Sequence, residues 1–207
     1  MVENSMVISY LTMRKVIGVL GASLAFLCII GGLLFGAGVV ESSISAYYLT
    51  NMRDLFVGIL FMAGAFLLSC KGYDKMDQAL FIIAGITAIG TAIFPTAFVL
   101  PGNVFGIMNV TPLHFISAGI FFAVLGFTSL FQFTKFSPDK APTEQKLKRN
   151  VVYRVCGIVI FVALILVAIS KIFVFGGPYL VLIAEIIMLL AFAVSWFIKG
   201  ETLLKDK

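Results

Sequence analysis

Charge and histidine are scarce in this chain. Of its 207 residues only 12% are charged and 61% are hydrophobic, with one histidine, one tryptophan and three cysteines. Soluble domains carry roughly a quarter charged residues, so a water-soluble globule is excluded. The same apolar excess excludes disorder, and the mean hydropathy of +1.10 agrees. A lone histidine leaves zinc hydrolysis short of ligands, and a His114/Glu185/Asp54 set would be poor in nitrogen donors. No Walker A sequence, Rossmann fingerprint, CxxCH or HExxH occurs. A Ser–His–Asp system drawn from Ser43 or Ser45, His114 and Asp54 has no nucleophile-elbow pattern behind it. The chain therefore shows no recognisable catalytic motif, and it implies neither a metal nor a cofactor. No segment alternates in the manner of a membrane barrel strand. The two halves do not visibly repeat, which weakens an inverted-repeat transporter. Cys28, Cys70 and Cys156 avoid the external loops, so no structural disulfide is expected and all three read as small fillers.

What is present is grease in long runs. Six apolar segments cover Val16–Val40, Leu55–Cys70, Ala79–Leu100, Leu113–Phe133, Val151–Phe173 and Pro178–Ile198. About 20 residues of helix cross a hydrocarbon core of ~30 Å, and five of the six reach that length. The second run is short and can span if Arg53 and Lys71 snorkel to the interfaces. The predicted fold is all-α: a polytopic transmembrane bundle of six helices in one integral membrane domain, residues 1–207. Thr111-Pro112 and Gly177-Pro178 read as helix starts for the fourth and sixth runs, and Asn51 with Asp54 as a capping box for the second.

With six spans, thirteen of the 15 Lys and Arg residues fall on the side of both termini, leaving Arg53 and Lys171 opposite. By the positive-inside rule both termini are expected in the cytoplasm, in a multi-pass protein of a bacterial cytoplasmic (inner) membrane. The net charge of +5 is then a topogenic signature, and nucleic-acid binding is not needed to explain it. Tyr47, Tyr48 and Tyr179 fall at the outer interface and Tyr73, Tyr153 and Trp196 at the inner one, as aromatic belts should. Arg14 and Lys15 before the first run suit an uncleaved signal-anchor.

The informative residues are those that hydrocarbon should reject. A charge at mid-bilayer costs at least ~2.5–3.5 kcal/mol on insertion scales. Glu185 lies eight residues past Gly177, about 12 Å along a helix rising 1.5 Å per residue. It must be protonated, paired or facing an aqueous cavity. Glu41 closes the first run, Arg53 and Asp54 open the second, His114 opens the fourth, and Lys171 sits near the outer end of the fifth. Five helices thus bring ionisable groups to the outer half, where a polar pocket for a lipid headgroup or small polar ligand is expected. Glu41 and Glu185 would be acceptors there, and Arg53 and Lys171 anion-binding donors. His114 would titrate near neutral pH. Each residue also has an ordinary role: Asp54 at a helix N-terminus, Arg53 and Lys171 as snorkelling cations, His114 as a cap, Glu41 as an interfacial acid. An intramembrane lipid hydrolase using His114 with Asp54 or Glu185 is the alternative. An ion- or proton-coupled transporter with Glu185 as the coupling carboxylate is a third reading.

Thr87, Thr91 and Pro95 share a face of the third run, and a proline kink is expected there. Gly32 and Gly36 form a GxxxG that suits internal packing or a homo-oligomer. Asp74 and Asp77 could share a cation or cap a helix. Lys135–Arg154 reads as the longest loop, and its Lys146-Leu-Lys-Arg149 cluster could hold anionic headgroups.

Ser43-Ile-Ser-Ala-Tyr-Tyr48, Met52-Arg-Asp-Leu-Phe-Val-Gly58, Gly72-Tyr-Asp74, Phe94-Pro95 and Lys148-Arg-Asn-Val-Val-Tyr-Arg-Val-Cys-Gly157 resemble landmarks of small bacterial membrane proteins. Their layout is similar to the DRAM-like six-helix family, in which a polar Ser/Asp-bearing segment follows the first helix. That resemblance implies a non-enzymatic role in membrane or lipid organisation, with no catalytic residue to carry over.

Overall fold

The computed structural model describes residues 9–72, 74–97, 111–136 and 141–204. Among them all regular structure is helical: α1 (Tyr10–Phe35), α2 (Arg53–Ser69), α3 (Lys75–Ile93), α4 (Thr111–Phe127), α5 (Glu144–Phe173) and α6 (Leu180–Lys199). A 3₁₀ turn occupies Ser45–Leu49, and a π-helical turn at Thr128–Gln132 prolongs α4. Five helices, all but α2, are long and apolar enough to cross a membrane. α2 has 17 residues, which at 1.5 Å per residue is about 26 Å.

Each helix packs on its neighbours in sequence, and α6 returns to α1, so the six close into a ring. Leu24, Phe56, Leu60, Phe121 and Leu189 fill its middle around a residual space of about 20 Å³. The outside is greasy rather than polar. Val151, Val155, Ile158, Val162 and Ile165 of α5 are all exposed at helical spacing, an arrangement that water would punish and lipid accepts. At the end that holds Tyr10 and Lys199, the chain is stitched by polar contacts. Tyr10 Oη donates to the Lys71 carbonyl, and Arg14 Nη1 donates to the Lys199 carbonyl at 3.2 Å.

Several expected boundaries and caps differ. α1 starts at Tyr10 rather than Val16, because Ser9 accepts from the Thr12 amide as N-cap. α5 starts at Glu144, with Thr143 accepting from the Lys146 amide. Lys146–Arg149 is therefore the first two turns of a helix and no loop. Asn51 does not cap α2: the N-cap is Met52 without a side-chain bond, and Asn51 Nδ2 instead donates to the Phe35 carbonyl closing α1, at 3.2 Å. α6 begins at Leu180 behind Tyr179, two residues later than Gly177-Pro178 suggested. Pro95 kinks nothing. α3 ends at Ile93, so the proline terminates the helix, in keeping with its missing N–H. The inner-interface expectation for Tyr73 lies outside the described residues.

Asp74 caps α3, and both carboxylates meet the chain's own Lys135. Asp74 Oδ1 accepts from the Asp77 amide at 2.8 Å as the N-cap of α3, and Lys135 Nζ reaches Asp74 at 2.6 Å and Asp77 at 3.3 Å. The Lys135 hydrogen bond, followed by the Asp77 amide, holds the exposed Asp74 carboxyl below the usual carboxylate range. A depressed folded-state pKa contributes stability above the ordinary value near ~3.9 that is lost as pH falls through the folded value. Asp74→Asn keeps a capping side chain and loses the ion pair. Its unfolding temperature in detergent should fall less between pH 7 and pH 3 than that of the wild type; parallel falls would show the pair contributes nothing.

Candidate functional site

The connection between α1 and α2 is rich in polar residues, and α6 clamps it. The first amides of a helix lack intrahelical acceptors; at α6 the Leu182 amide donates to the Ser42 carbonyl at 3.1 Å. In return Glu185 Oε2 accepts from the amides of Ile44 and Ser45, at 2.6 and 3.4 Å, and Oε1 accepts from the Ser45 hydroxyl at 3.0 Å. Ser43 Oγ accepts from the Ala46 amide at 3.0 Å and completes the turn. Glu185, conspicuous in its apolar helix, is thus paired with backbone amides, while Lys171 acts on it at longer range.

His114 plays an analogous part at the end of α3. It is 0% exposed, and Nδ1 lies 2.9 Å from the Phe94 carbonyl. A carbonyl only accepts, so Nδ1 carries a proton and donates it. Nε2 has no hydrogen-bond partner among the described residues. Tyr48 Oη donates to the Ile93 carbonyl at 3.1 Å, so two side chains from other elements close the C-terminus of α3. That supplies partners for carbonyls which the Pro95 region leaves open.

A cleft of about 610 Å³ lies between α4 and α5, backed by α6 and the α1–α2 connection. Its existence follows from two glycines. At Gly126 and Gly157 the helices nearly touch: a Cβ at Gly157 would lie 2.9 Å from the Gly126 carbonyl oxygen. Two turns away, at the middle of α4, Gly119 has nothing within 4 Å of its Cβ direction. α4 and α5 thus touch at the Gly126/Gly157 crossing and leave space beside Gly119, which lines the cleft. The walls are mainly apolar, among them Phe115, Phe122, Leu164 and Val167, and the polar groups include Ser42, Ser43, Ser45, His114, Lys171 and Glu185. Lys171 is exposed, with its ammonium 5.9 Å from the centre of the Phe115 ring.

Three of the six sequence candidates thus converge on the cleft, His114, Lys171 and Glu185. The other three do not line it. Arg53 lies over the Tyr48 ring at 4.9 Å and donates to its hydroxyl at 3.3 Å. Asp54 is exposed in the first turn of α2, its ordinary helix-end role. The Glu41 amide donates to Tyr47 Oη at 3.4 Å. Gly32 faces the chain's own Tyr47, whose Cε1 would lie 2.6 Å from a Cβ there. Sequence reasoning missed Gly119, Gly126 and Gly157 because a glycine in an apolar run shows no sign of which neighbour it faces. His114 is oriented by the Phe94 carbonyl rather than by Asp54, and the Ser45 hydroxyl is committed to Glu185. Among the described residues no three His, Cys, Asp or Glu side chains group as metal ligands do. No known protein family, curated protein or solved structure matches the chain.

Proposed function

We propose that this is a six-span integral membrane protein, with both termini cytoplasmic, that binds a membrane lipid in the α4/α5 cleft. One observation carries the reading: the cleft between α4 and α5 is walled mainly by apolar side chains, with polar groups from the α1–α2 connection and from His114, Lys171 and Glu185. That is the shape of an amphiphile seen from its receptor. An acyl chain would lie along Phe122, Leu164 and Val167, and the headgroup would meet the Lys171 ammonium and the Ser42 and Ser43 hydroxyls. An ammonium and several hydroxyls favour an anionic headgroup. The excess of Lys and Arg on the terminal side supports the orientation, with α2 spanning by virtue of its flanking cations.

Gly119→Leu tests the site. It fills open space, and leaving glycine in a helix interior gains about 0.5–1 kcal/mol in propensity. The variant should be at least as stable as the wild type and should retain less co-purified lipid by native mass spectrometry. Lys171→Gln should release anionic lipid in particular, and Arg53→Ala should release none. Unchanged lipid retention in a folded Gly119→Leu protein would refute the cleft as the binding site.

A further inference from the structure

The outer face of α5 carries a regularity that lipid does not require. Val151, Val155, Ile158, Val162 and Ile165 continue at the same spacing to Ile169 and Ile172. The steps alternate between four and three residues over three heptads, the spacing of a coiled-coil seam. All seven side chains are β-branched and all are exposed, from 40% at Ile169 to 71% at Ile172. Lipid asks only that a surface be apolar. Phe26, Leu27 and Leu33 of α1, Phe61 and Met62 of α2, and Leu113 and Phe115 of α4 meet that demand with mixed shapes.

A straight helix drifts about 20° per heptad from a 3.5-residue repeat, so a stripe defined by lipid alone has no reason to keep one shape along it. A facing helix does, because its knobs need holes at the same interval. Val and Ile are also stiff at χ1 in a helix, so little rotamer freedom is lost when they are packed. A groove of about 540 Å³ lies beside the seam, between α5 and α6. Ile158 and Val162 belong to both, and Leu166, Ile183 and Ile187 line the groove further in. A ridge next to a groove on one face is self-complementary about a two-fold axis, each ridge entering the other copy's groove. Seam and groove together present seventeen residues, close to the lower end of the ~20–30 a side found in stable interfaces.

We propose that α5 is the contact surface for a second copy of this chain, the two packed in parallel about a two-fold axis along the membrane normal. Copies inserted in one orientation present α5 to each other only in parallel, so each seam residue lies near its own counterpart. In lipid such a contact depends on close van der Waals packing, which a ridge of stiff side chains supplies. Leu164, Val167 and Lys171, which line the cleft, lie about half a turn round α5 from Val155 and Val162 at ~100° per residue. Pairing therefore leaves the cleft open, and it does not depend on what the cleft binds.

Two measurements on the full chain in bilayers test the pairing. In the first, Val155→Cys, Ile158→Cys and Val162→Cys are oxidised in the membrane one at a time, with Ile116→Cys on the exposed face of α4 as control. The chain's own three cysteines are buried, so the wild type should give no cross-link. The three α5 variants should form covalent pairs, and Ile116→Cys should not. In the second, energy transfer between labelled copies is followed in phosphatidylcholine vesicles as the protein is diluted into lipid. The wild type should associate reversibly. Val162→Trp, which puts bulk at the middle of the seam, should weaken association by a factor of about ten. Ile116→Trp should leave it unchanged. Both positions are exposed, and unfolding midpoints check that both variants fold. If Val162→Trp does not fold, the cross-linking pattern decides alone. A wild type that stays monomeric at every dilution overturns the proposal. Full association in folded Val162→Trp overturns it too, as does cross-linking at Ile116→Cys equal to that at Ile158→Cys.

Discussion

Glu185→Ala is expected to lower the unfolding free energy by about 2–4 kcal/mol, because it strands donors that nothing else can satisfy. The Ile44 amide donates to Glu185 at 2.6 Å, and Ile44 is 2% exposed. An orphaned buried N–H costs about 1–3 kcal/mol, and the lost Ser45 hydroxyl bond adds to it. The damage spreads because the clamp is reciprocal. Once the turn at Ser45 loosens, the Leu182 amide loses its hold on the Ser42 carbonyl, and the polar part of the cleft loses its backing. Glu185→Gln should be milder, about 1–2 kcal/mol, since its amide oxygen can still accept from Ile44 and the Ser45 hydroxyl can rotate to accept from its NH₂. Asp54→Asn, on an exposed first turn, should change stability little. The order alanine, glutamine, Asp54→Asn is read from chemical unfolding in detergent. Equal effects at positions 185 and 54 would show that the clamp contributes nothing.

That contrast also marks how far the sequence could be read. Glu185 was legible because a carboxylate inside an apolar run must have a reason to be there. Its partners were not, because backbone amides at Ile44 and Ser45 leave no trace in residue identity. The same limit hides the acceptor of His114, a main-chain carbonyl at Phe94. Helix existence followed from apolar runs of sufficient length, which gave the all-α class and placed every helix. Helix ends did not follow, because hydropathy reports where lipid stops and capping reports where the helix stops. α5 runs through Lys146, Lys148 and Arg149 before it becomes apolar, and α1 closes at Phe35 although Val39 and Val40 continue the grease. Arg53, Asp54 and Glu41 share an end of the bundle with the cleft but not its walls, since topology fixes depth and leaves the direction around the ring open.

Gly64→Val should be about as damaging as Glu185→Ala, for a reason that residue chemistry alone would miss. α2 and α3 cross with their backbones in contact. A Cβ at Gly64 would lie 2.8 Å from the Gly85 carbonyl oxygen and 2.7 Å from Ile89 Cγ1, and a Cβ at Gly85 would lie 2.8 Å from the Gly64 oxygen. Backbone on both sides cannot step aside as a side-chain rotamer can, so the helices must separate. In lipid no hydrophobic force draws helices together, and association depends on close van der Waals packing. Separation therefore forfeits the contacts that hold α2 in the ring. Overpacking of this kind costs about 1–3 kcal/mol, with valine at the upper end or beyond and alanine lower. Gly58 lies on the same helix with nothing within 4 Å of its Cβ direction. Gly58→Ala should gain about 0.5–1 kcal/mol from helix propensity alone. The two substitutions thus differ in sign on one helix, as read from unfolding midpoints in the same detergent. If Gly64→Ala and Gly64→Val are both as stable as the wild type, then α2 and α3 do not approach at that crossing. The short α2 would then have to be held by its ends, through Arg53 on Tyr48, and Arg53→Ala would become the destabilising change.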